Sequence, residues 1–200
     1  MCKKERVVIM TLEKSLLEGT LDRRSLLKGS LTLSATAMIS AIGVKPAWAA
    51  PTDGRYTVNI VNKHTHERFE GLYRVGNEYL PEAFENINTT LRDHRTDEIF
   101  PIDPRVIDIA VALHKMTGTR RPFEIISGYR SPKTNAMLRS NSSAVAKKSL
   151  HMSGQALDVQ VADVPISRLR DVAIKLKAGG VGYYPKSNFV HIDSGRFRTW

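Results

Sequence analysis

The stretch Ser149-Leu-His-Met-Ser-Gly-Gln-Ala-Leu-Asp158 places a histidine, His151, and a carboxylate, Asp158, on either side of a small-residue turn. The segment Phe189-Val-His-Ile-Asp193 later supplies a second histidine and a second carboxylate. Side chains two residues apart on a strand point to the same face. Adjacent strands can therefore bring Asp158 and His191 together, beside His151. Two histidines and one carboxylate can hold a divalent metal, most naturally zinc, with one coordination position left open.

The chain around these segments alternates strand patterns with helix patterns. Short alternating or β-branched runs predict strands at 56–62, 68–75, 123–126, 155–160, 180–184 and 189–193. Apolar residues at helical spacing predict helices at 80–91, from 104 onward and at 166–178, and the pair Ser131-Pro132 predicts the start of a helix at 132–139. We therefore expect an α+β domain in which helices flank an antiparallel sheet.

Two of the predicted helices have a clear apolar face and clear ends. The helix that begins at Pro104 should bury Val106, Ile107, Ala110, Val111 and Leu113. The helix at 166–178 should turn Leu169, Val172, Ala173 and Leu176 inward and end at Gly179-Gly180.

A strand-to-helix junction presents an arginine. The strand at 123–126 runs into Ser127-Gly-Tyr-Arg-Ser-Pro132, where Ser131 is a natural N-cap and Pro132 a natural first helical residue. Arg130 therefore lies at the junction itself. The small, polar and basic run 141–148 is typical of a loop that borders a site.

Other polar residues have simpler interpretations. His64 and His66 lie two apart in a hairpin turn and are expected to be solvated surface, and His114 is expected to be structural. Arg92 and Arg95 belong to a charged loop that we expect to be solvated.

Length and charge bound the answer further. The chain has 200 residues, one cysteine (Cys2) and a formal net charge of +10. Residues 50–200 keep 22 basic and 16 acidic side chains, which weakly favours an anionic partner such as nucleic acid, anionic lipid or cell wall. With no cysteine beyond Cys2, thiolate ligation and cysteine catalysis are excluded from this part of the chain.

The first 49 residues have the order of an export signal. Arg23-Arg24 and a nearby lysine precede a mildly apolar run from 29 to 44, and Ala47-Trp-Ala49 supplies small residues for a signal peptidase. The paired arginines are typical of the bacterial twin-arginine pathway. We expect residues 1–49 to direct export to the periplasm through the twin-arginine machinery, with no membrane span left after cleavage. Uncleaved, the segment would be a tether.

Three motifs together resemble the LAS-type zinc peptidases: Ser127-Gly-Tyr-Arg130, the stretch 149–158 and the segment 189–193. That group includes D-Ala-D-Ala carboxypeptidases, lysostaphin-type endopeptidases and the hedgehog fold. Within it, the arginine pair, Val145-Ala-Lys-Lys-Ser149 and the run 179–191 resemble the murein endopeptidase K (YcbK-type) enzymes. The resemblance extends from the signal to Trp200.

This resemblance implies a hedgehog- or DD-peptidase-like zinc peptidase domain at residues 50–200. It implies that His151, Asp158 and His191 bind Zn²⁺ and that Arg130 contacts a substrate or transition-state oxygen. The implied substrate is peptidoglycan (murein). The implied reaction is hydrolysis of the cross-link between two diaminopimelate residues, with some action on D-Ala–diaminopimelate links.

The chain departs from several relatives at the general base. Those relatives place a glutamate three residues before the last histidine ligand, where this chain has Asn188. Asp193 is the nearest carboxylate and can act as the base or as a partner that holds a ligand.

Other functions stay open at this point. A D,D- or L,D-carboxypeptidase would use the same ligands, and a non-catalytic zinc-containing peptidoglycan-binding module would explain Asn188. The export signal disfavours a nucleic-acid binder.

Overall fold

The structure is a computed structural model that describes residues 53–142 and 145–200. Within these residues, the strands are β1 (Arg55–Asn62), β2 (Arg68–Val75), β3 (Glu78–Tyr79), β4 (Phe123–Ser127), β5 (Ala156–Gln160), β6 (Gly180–Tyr184), β7 (Phe189–Asp193) and β8 (Arg198–Thr199). The helices are α1 (Pro81–Thr90), α2 (Pro104–Thr117), α3 (Pro132–Asn141) and α4 (Ile166–Leu176). The α+β class is confirmed. The predicted signal at 1–49 lies outside the described residues.

All eight strands belong to one sheet in the order β3-β2-β1-β4-β5-β7-β6-β8. The sheet is mixed, because β1 pairs with β4 and β6 with β8 in parallel. The prediction of an antiparallel sheet is therefore wrong at these two places and right for the other pairs. Parallel neighbours need a crossover connection, and α1 and α2 provide one between β1 and β4.

Helix α2 packs an apolar stripe against the sheet. Its buried residues are Val106, Ile107, Ile109, Ala110, Leu113 and Thr117. Val111, which the sequence placed in the core, is only half-buried. Positions 106, 109, 110, 113 and 117 follow the helical period more closely than 111 does, so Ile109 takes its place.

Helix α4 buries Leu169 and Ala173, and it ends earlier than predicted. Lys177 adopts a left-handed conformation with φ 53°, which ends the helix after Leu176 rather than at Gly179. Gly179 instead lies against the Asp193 carbonyl group, which leaves no room for a Cβ. That glycine therefore permits close contact between the start of β6 and the end of β7.

Short elements escaped prediction. These are β3, β8 and the 3-10 turn at Leu150–Ser153. A second 3-10 turn, at Pro185–Ser187, joins β6 to β7. Pairs of residues and single turns carry no periodicity that a sequence pattern can show. No helix within the described ranges is long and apolar enough to cross a membrane.

Candidate metal centre

Three ligand-type side chains converge at the centre of the sheet. Asp158 on β5 and His191 on β7 are directly opposite each other in an antiparallel pair. His151 lies in the 3-10 turn that precedes β5, where the Ser149 side chain accepts a hydrogen bond from the His151 backbone N–H. One ligand atom from each of the three residues lies within 4.8 Å of the others. The predicted meeting of Asp158, His191 and His151 is confirmed as geometry.

Hydrogen bonds fix which nitrogen of each histidine faces the centre. The His151 Nδ1–H donates to the Gly128 carbonyl oxygen at 2.8 Å, which leaves Nε2 free to accept. The His191 Nε2–H donates to Asp193 Oδ2 at 3.0 Å, which leaves Nδ1 free. His151 Nε2, His191 Nδ1 and Asp158 Oδ1 therefore meet at one point, where each atom can ligate a cation once the nitrogens carry no proton.

The spacing of the three atoms fits a zinc ion. His151 Nε2 lies 3.2 Å from His191 Nδ1, and Asp158 Oδ1 lies 3.2 Å and 2.9 Å from the two nitrogens. Tetrahedral zinc with bonds of about 2.0–2.1 Å separates its ligand atoms by roughly 3.3 Å. The three residues are 2%, 5% and 8% exposed, so protein atoms enclose most of each side chain.

Burial and mutual charge set the protonation of this cluster. Burial lowers the pKa of His151, which favours the neutral, ligating form. Burial alone would raise the pKa of Asp158, but the two histidines outweigh it and hold that pKa well below its usual range. Burial likewise opposes protonation of His191, yet its hydrogen bonds to Asp158 and Asp193 raise its pKa. The cluster is therefore a carboxylate beside a neutral imidazole, His151, and an imidazole, His191, that holds its proton more strongly than usual.

Asp193 is completely buried, and both of its oxygens are engaged. Oδ1 accepts from the backbone N–H groups of Gly180 and Gly195 and from Arg198 Nη1, at 3.1, 2.9 and 3.0 Å. Oδ2 accepts from His191 Nε2 and from Arg198 Nη2, at 3.0 and 2.7 Å. Burial would raise the pKa of Asp193, but His191, Arg198 and the Gly195 N–H hold it far below its usual range. The carboxylate is a fixed anion that orients His191.

Arg198 is a site residue that the sequence did not indicate. It reaches Asp193 because β8 returns along β6 in parallel, and Gly180 on β6 has no Cβ to obstruct the two side chains. An arginine five residues after a carboxylate gives no recognisable spacing, so only the chain reversal reveals the pair.

Arg130 lies at the predicted junction between β4 and α3, with Ser131 as N-cap. Its Nη2 donates to Ser127 Oγ and to Asp158 Oδ2, at 3.2 and 3.4 Å. Its Nε is buried and has no hydrogen-bond partner among the described residues. The side chain is 11% exposed, so its charge reaches the pocket from a fixed position.

Asp93 holds this junction from beneath, although the sequence assigned its loop to solvent. Its oxygens accept from the backbone N–H groups of Ser131 and Arg95, at 2.8 and 3.0 Å. The residue is 1% exposed. Burial would raise its pKa, but these hydrogen bonds and one from Thr134 lower it to about 2.

Replacement of Asp93 by Asn should therefore weaken the fold most at neutral pH. A carboxylate with a lowered pKa stabilises the folded state above its unfolded pKa of about 4, and this contribution is lost as pH falls toward 2. We expect Asp93→Asn to cost about 2 kcal/mol at pH 7 and roughly 1 kcal/mol less at pH 3. Urea unfolding of both proteins at the two pH values measures this. A penalty that does not depend on pH would show that Asp93 acts without its charge.

A pocket of about 530 Å³ opens over the three ligand residues. Its other walls come from three regions: the junction, the 142–149 loop with the turn after it, and the β6–β8 corner. They are Arg130, Leu138, Ser142, Val145, Ala146, Lys148, Ser149, Leu150, Tyr184, Ser187, Phe189, Arg198 and Trp200. The predicted loop at 141–148 does border the site, although residues 143 and 144 lie outside the described residues. Tyr184 and Trp200 were missed by sequence analysis.

Asn188 does not line this pocket. It is exposed, adopts a left-handed conformation with φ 55° after the turn Pro185–Ser187, and its amide donates to Gln160 Oε1 at 3.2 Å. Asparagine tolerates this conformation better than most residues. The backbone therefore explains why an asparagine stands at this position.

The remaining histidines and the charged loop lie outside the centre. His64 and His66 are exposed as predicted, and His64 stacks on His94 at 3.8 Å. His114 contacts the Arg121 carbonyl oxygen, in a structural role as predicted. Arg95 is exposed as predicted. Arg92 is half-buried and forms ion pairs with Glu67 and Asp97, so the prediction that Arg92 is solvated is wrong.

Comparisons with known proteins point to one family. A family model described as peptidoglycan L,D-endopeptidase MepK matches residues 50–200. Peptidoglycan L,D-endopeptidase MepK of Escherichia coli K12 is 42% identical over 171 residues, which are 85% of this chain and 94% of that protein. Probable peptidoglycan L,D-endopeptidase MepK of Haemophilus influenzae is 39% identical over 140 residues, 70% of this chain and 75% of that protein.

Proposed function

The chain belongs to the family of peptidoglycan L,D-endopeptidase MepK, and from this membership we propose that it hydrolyses peptide cross-links of peptidoglycan. The bond that we expect it to cut joins two diaminopimelate residues, with D-Ala–diaminopimelate links as a second target. The observation that carries the proposal is the convergence of His151, Asp158 and His191 beneath an open pocket.

We propose that the metal is zinc, held by His151 Nε2, Asp158 Oδ1 and His191 Nδ1. The two-imidazole, one-carboxylate donor set and its spacing of about 3 Å support this choice. Zinc bound there supplies a Lewis acid and lowers the pKa of a water to about 7. The residues of this chain must then orient the ligands, position the substrate and stabilise negative charge.

Arg130 is suited to contact the substrate oxygen that becomes negative during hydrolysis. Its guanidinium lines the pocket, carries a positive charge and is held in a fixed position by Ser127 and Asp158. Among the described pocket-lining residues, Asp158 is the only carboxylate, whereas Arg130, Lys148 and Arg198 are cationic. This balance favours a substrate that carries carboxylates, as peptidoglycan peptides do.

Asp193 acts, in this proposal, as the partner that orients His191 and not as the general base. Both of its carboxylate oxygens accept hydrogen bonds from Arg198, and Oδ2 also accepts one from His191. The side chain is completely buried and does not line the pocket. Of the two roles that the sequence left open, burial and hydrogen bonding favour the second.

We propose that the protein works in the periplasm and reaches it by the twin-arginine pathway. The substrate lies outside the cytoplasmic membrane, and Arg23-Arg24 with Ala47-Trp-Ala49 supplies the signal features. In this proposal, residues 1–49 are the export signal and residues 50–200 are the peptidase domain.

Digestion of cross-linked sacculi tests the proposed function. The purified protein should release monomeric muropeptides, and mass spectrometry should identify cleavage between diaminopimelate residues. Chelator should stop the reaction and added zinc should restore it. Absence of cleavage with any added divalent metal would refute the enzyme.

The same experiment separates two alternatives. A carboxypeptidase would release a single terminal amino acid and leave cross-links intact. A binding module would bind sacculi without cleaving them, a possibility favoured by the lack of a free carboxylate among the described pocket residues.

A further inference from the structure

The pocket has an aromatic wall that the metal centre does not use. Tyr184 stacks on Phe189 with ring centroids 4.6 Å apart, and Trp200 lies 5.2 Å from the His191 ring. All three aromatic side chains line the pocket. The wall therefore stands directly beside the ligand residues.

The strand register places Tyr184 on the metal face of the sheet. Gly182 is paired with His191 and Tyr184 with Phe189, and paired residues share a face. The Trp200 ring occupies the space above Gly182, where an added Cβ would lie 2.7 Å from the indole. The glycine leaves room for the indole beside His191 and Tyr184.

One hydrogen bond orients the Tyr184 hydroxyl. Trp200 Nε1 donates to the Tyr184 oxygen at 2.8 Å, and an indole N–H can only donate. The phenol therefore accepts from Trp200 and keeps its own proton for another acceptor. No acceptor for that proton is present among the described residues.

Tyr184 and Arg130 line the same pocket. Arg130 Nη2 lies 3.4 Å from Asp158 Oδ2. A phenol and a guanidinium therefore line one pocket from two walls.

We propose that Tyr184 is a catalytic residue whose hydroxyl donates a hydrogen bond to the carbonyl oxygen of the scissile peptide as that oxygen becomes negative. Arg130 supplies the second contact, and Trp200 is the positioning residue that sets the direction of the phenol. Tyr184 keeps its proton throughout, so no bond to it forms or breaks. This inference rests on the proposed hydrolysis of a peptide bond at this site.

Tyr184→Phe tests the hydroxyl alone, because the ring and its stacking on Phe189 remain. We expect kcat on a purified cross-linked muropeptide dimer to fall about 100-fold, the loss typical of one oxyanion donor. KM should change less than about 3-fold, since the contact forms mainly in the transition state. Metal content should stay at the wild-type level.

The matched control is Tyr183→Phe. Tyr183 is the next residue on β6, points to the other face, and has Arg170 over its ring at 4.5 Å. Loss of the Tyr183 hydroxyl should leave kcat within about 2-fold of the wild-type value. Trp200→Phe removes the indole donor but keeps a ring, and should lower kcat by less than Tyr184→Phe does.

Binding of a phosphinate analogue of the cross-link provides a readout without turnover. The tetrahedral phosphinate group mimics the transition state of hydrolysis. The affinity for the analogue should therefore fall about 100-fold in Tyr184→Phe and change little in Tyr183→Phe. Wild-type kcat and analogue affinity in Tyr184→Phe would overturn the role of Tyr184 and leave the proposed function intact. Equal losses in Tyr184→Phe and Trp200→Phe, with analogue affinity unchanged, would reduce Tyr184 to an anchor for the indole. Absence of cleavage by the wild-type protein would instead remove the proposed function, and the inference with it.

Discussion

His151→Ala should bring metal binding and peptidoglycan hydrolysis down together. The imidazole supplies one of three protein ligands, and its Nδ1–H is already committed to the Gly128 carbonyl oxygen. Among the described residues, His151 and His191 are the only histidines of the cluster, so no spare imidazole there can replace His151. We expect zinc affinity to fall by more than about 100-fold, since loss of even an outer hydrogen-bond partner costs 10–100-fold. Hydrolysis of sacculi should fall to background.

Metal content after dialysis, and competition with a chromophoric chelator, measure this result. His66→Asn is the control, because His66 is exposed and has φ 62°, which asparagine tolerates. That variant should keep wild-type zinc and activity. Because His151 is buried, circular dichroism should compare His151→Ala with metal-free wild type, which isolates loss of the ligand from loss of the fold. Stoichiometric zinc in His151→Ala would exclude this residue from the ligand set.

Local patterns predicted the parts of the site that lie on single elements. Alternation along β5 and β7 placed Asp158 and His191 on facing positions, because side-chain direction on a strand is fixed by the backbone. The Ser131 cap and Pro132 at the first helical position could also be predicted, because each depends only on residues next to it in the sequence.

The supporting residues could not be predicted, because their contacts join distant segments. Arg198 reaches Asp193 only after the chain reverses into β8. Asp93 meets the Ser131 N–H across 38 positions of sequence. The Trp200–Tyr184 hydrogen bond needs the vacant position at Gly182. Each of these residues has an ordinary surface interpretation in sequence, and only its contacts in the folded chain distinguish it.

The prediction of a fully antiparallel sheet failed for a related reason. Hydrophobic alternation gives the faces of a strand but not the direction of its neighbour. The crossover through α1 and α2 decides that β1 and β4 are parallel.

Asp193→Asn should weaken metal binding by about 10–100-fold and should be rescued by excess zinc. The buried carboxylate accepts from His191 Nε2 and twice from Arg198. An amide has one accepting oxygen, so its NH₂ group would face a donor on one of these partners. His191 would then lose the hydrogen bond that fixes its ring, while all three ligands remain.

The rescue separates the two roles that Asp193 can have. A positioning residue lowers the fraction of enzyme that holds metal, so kcat at saturating zinc should return to within about 10-fold of wild type. A general base would instead leave zinc affinity unchanged and lower kcat by about 100–10,000-fold at any zinc concentration. Arg198→Lys supplies an independent check, because it keeps the charge and loses the paired donors. It should shift zinc affinity in the same direction as Asp193→Asn but less, since the His191 hydrogen bond to Asp193 survives. Wild-type zinc affinity in both variants, together with a persistent kcat defect in Asp193→Asn, would return Asp193 to the role of proton carrier.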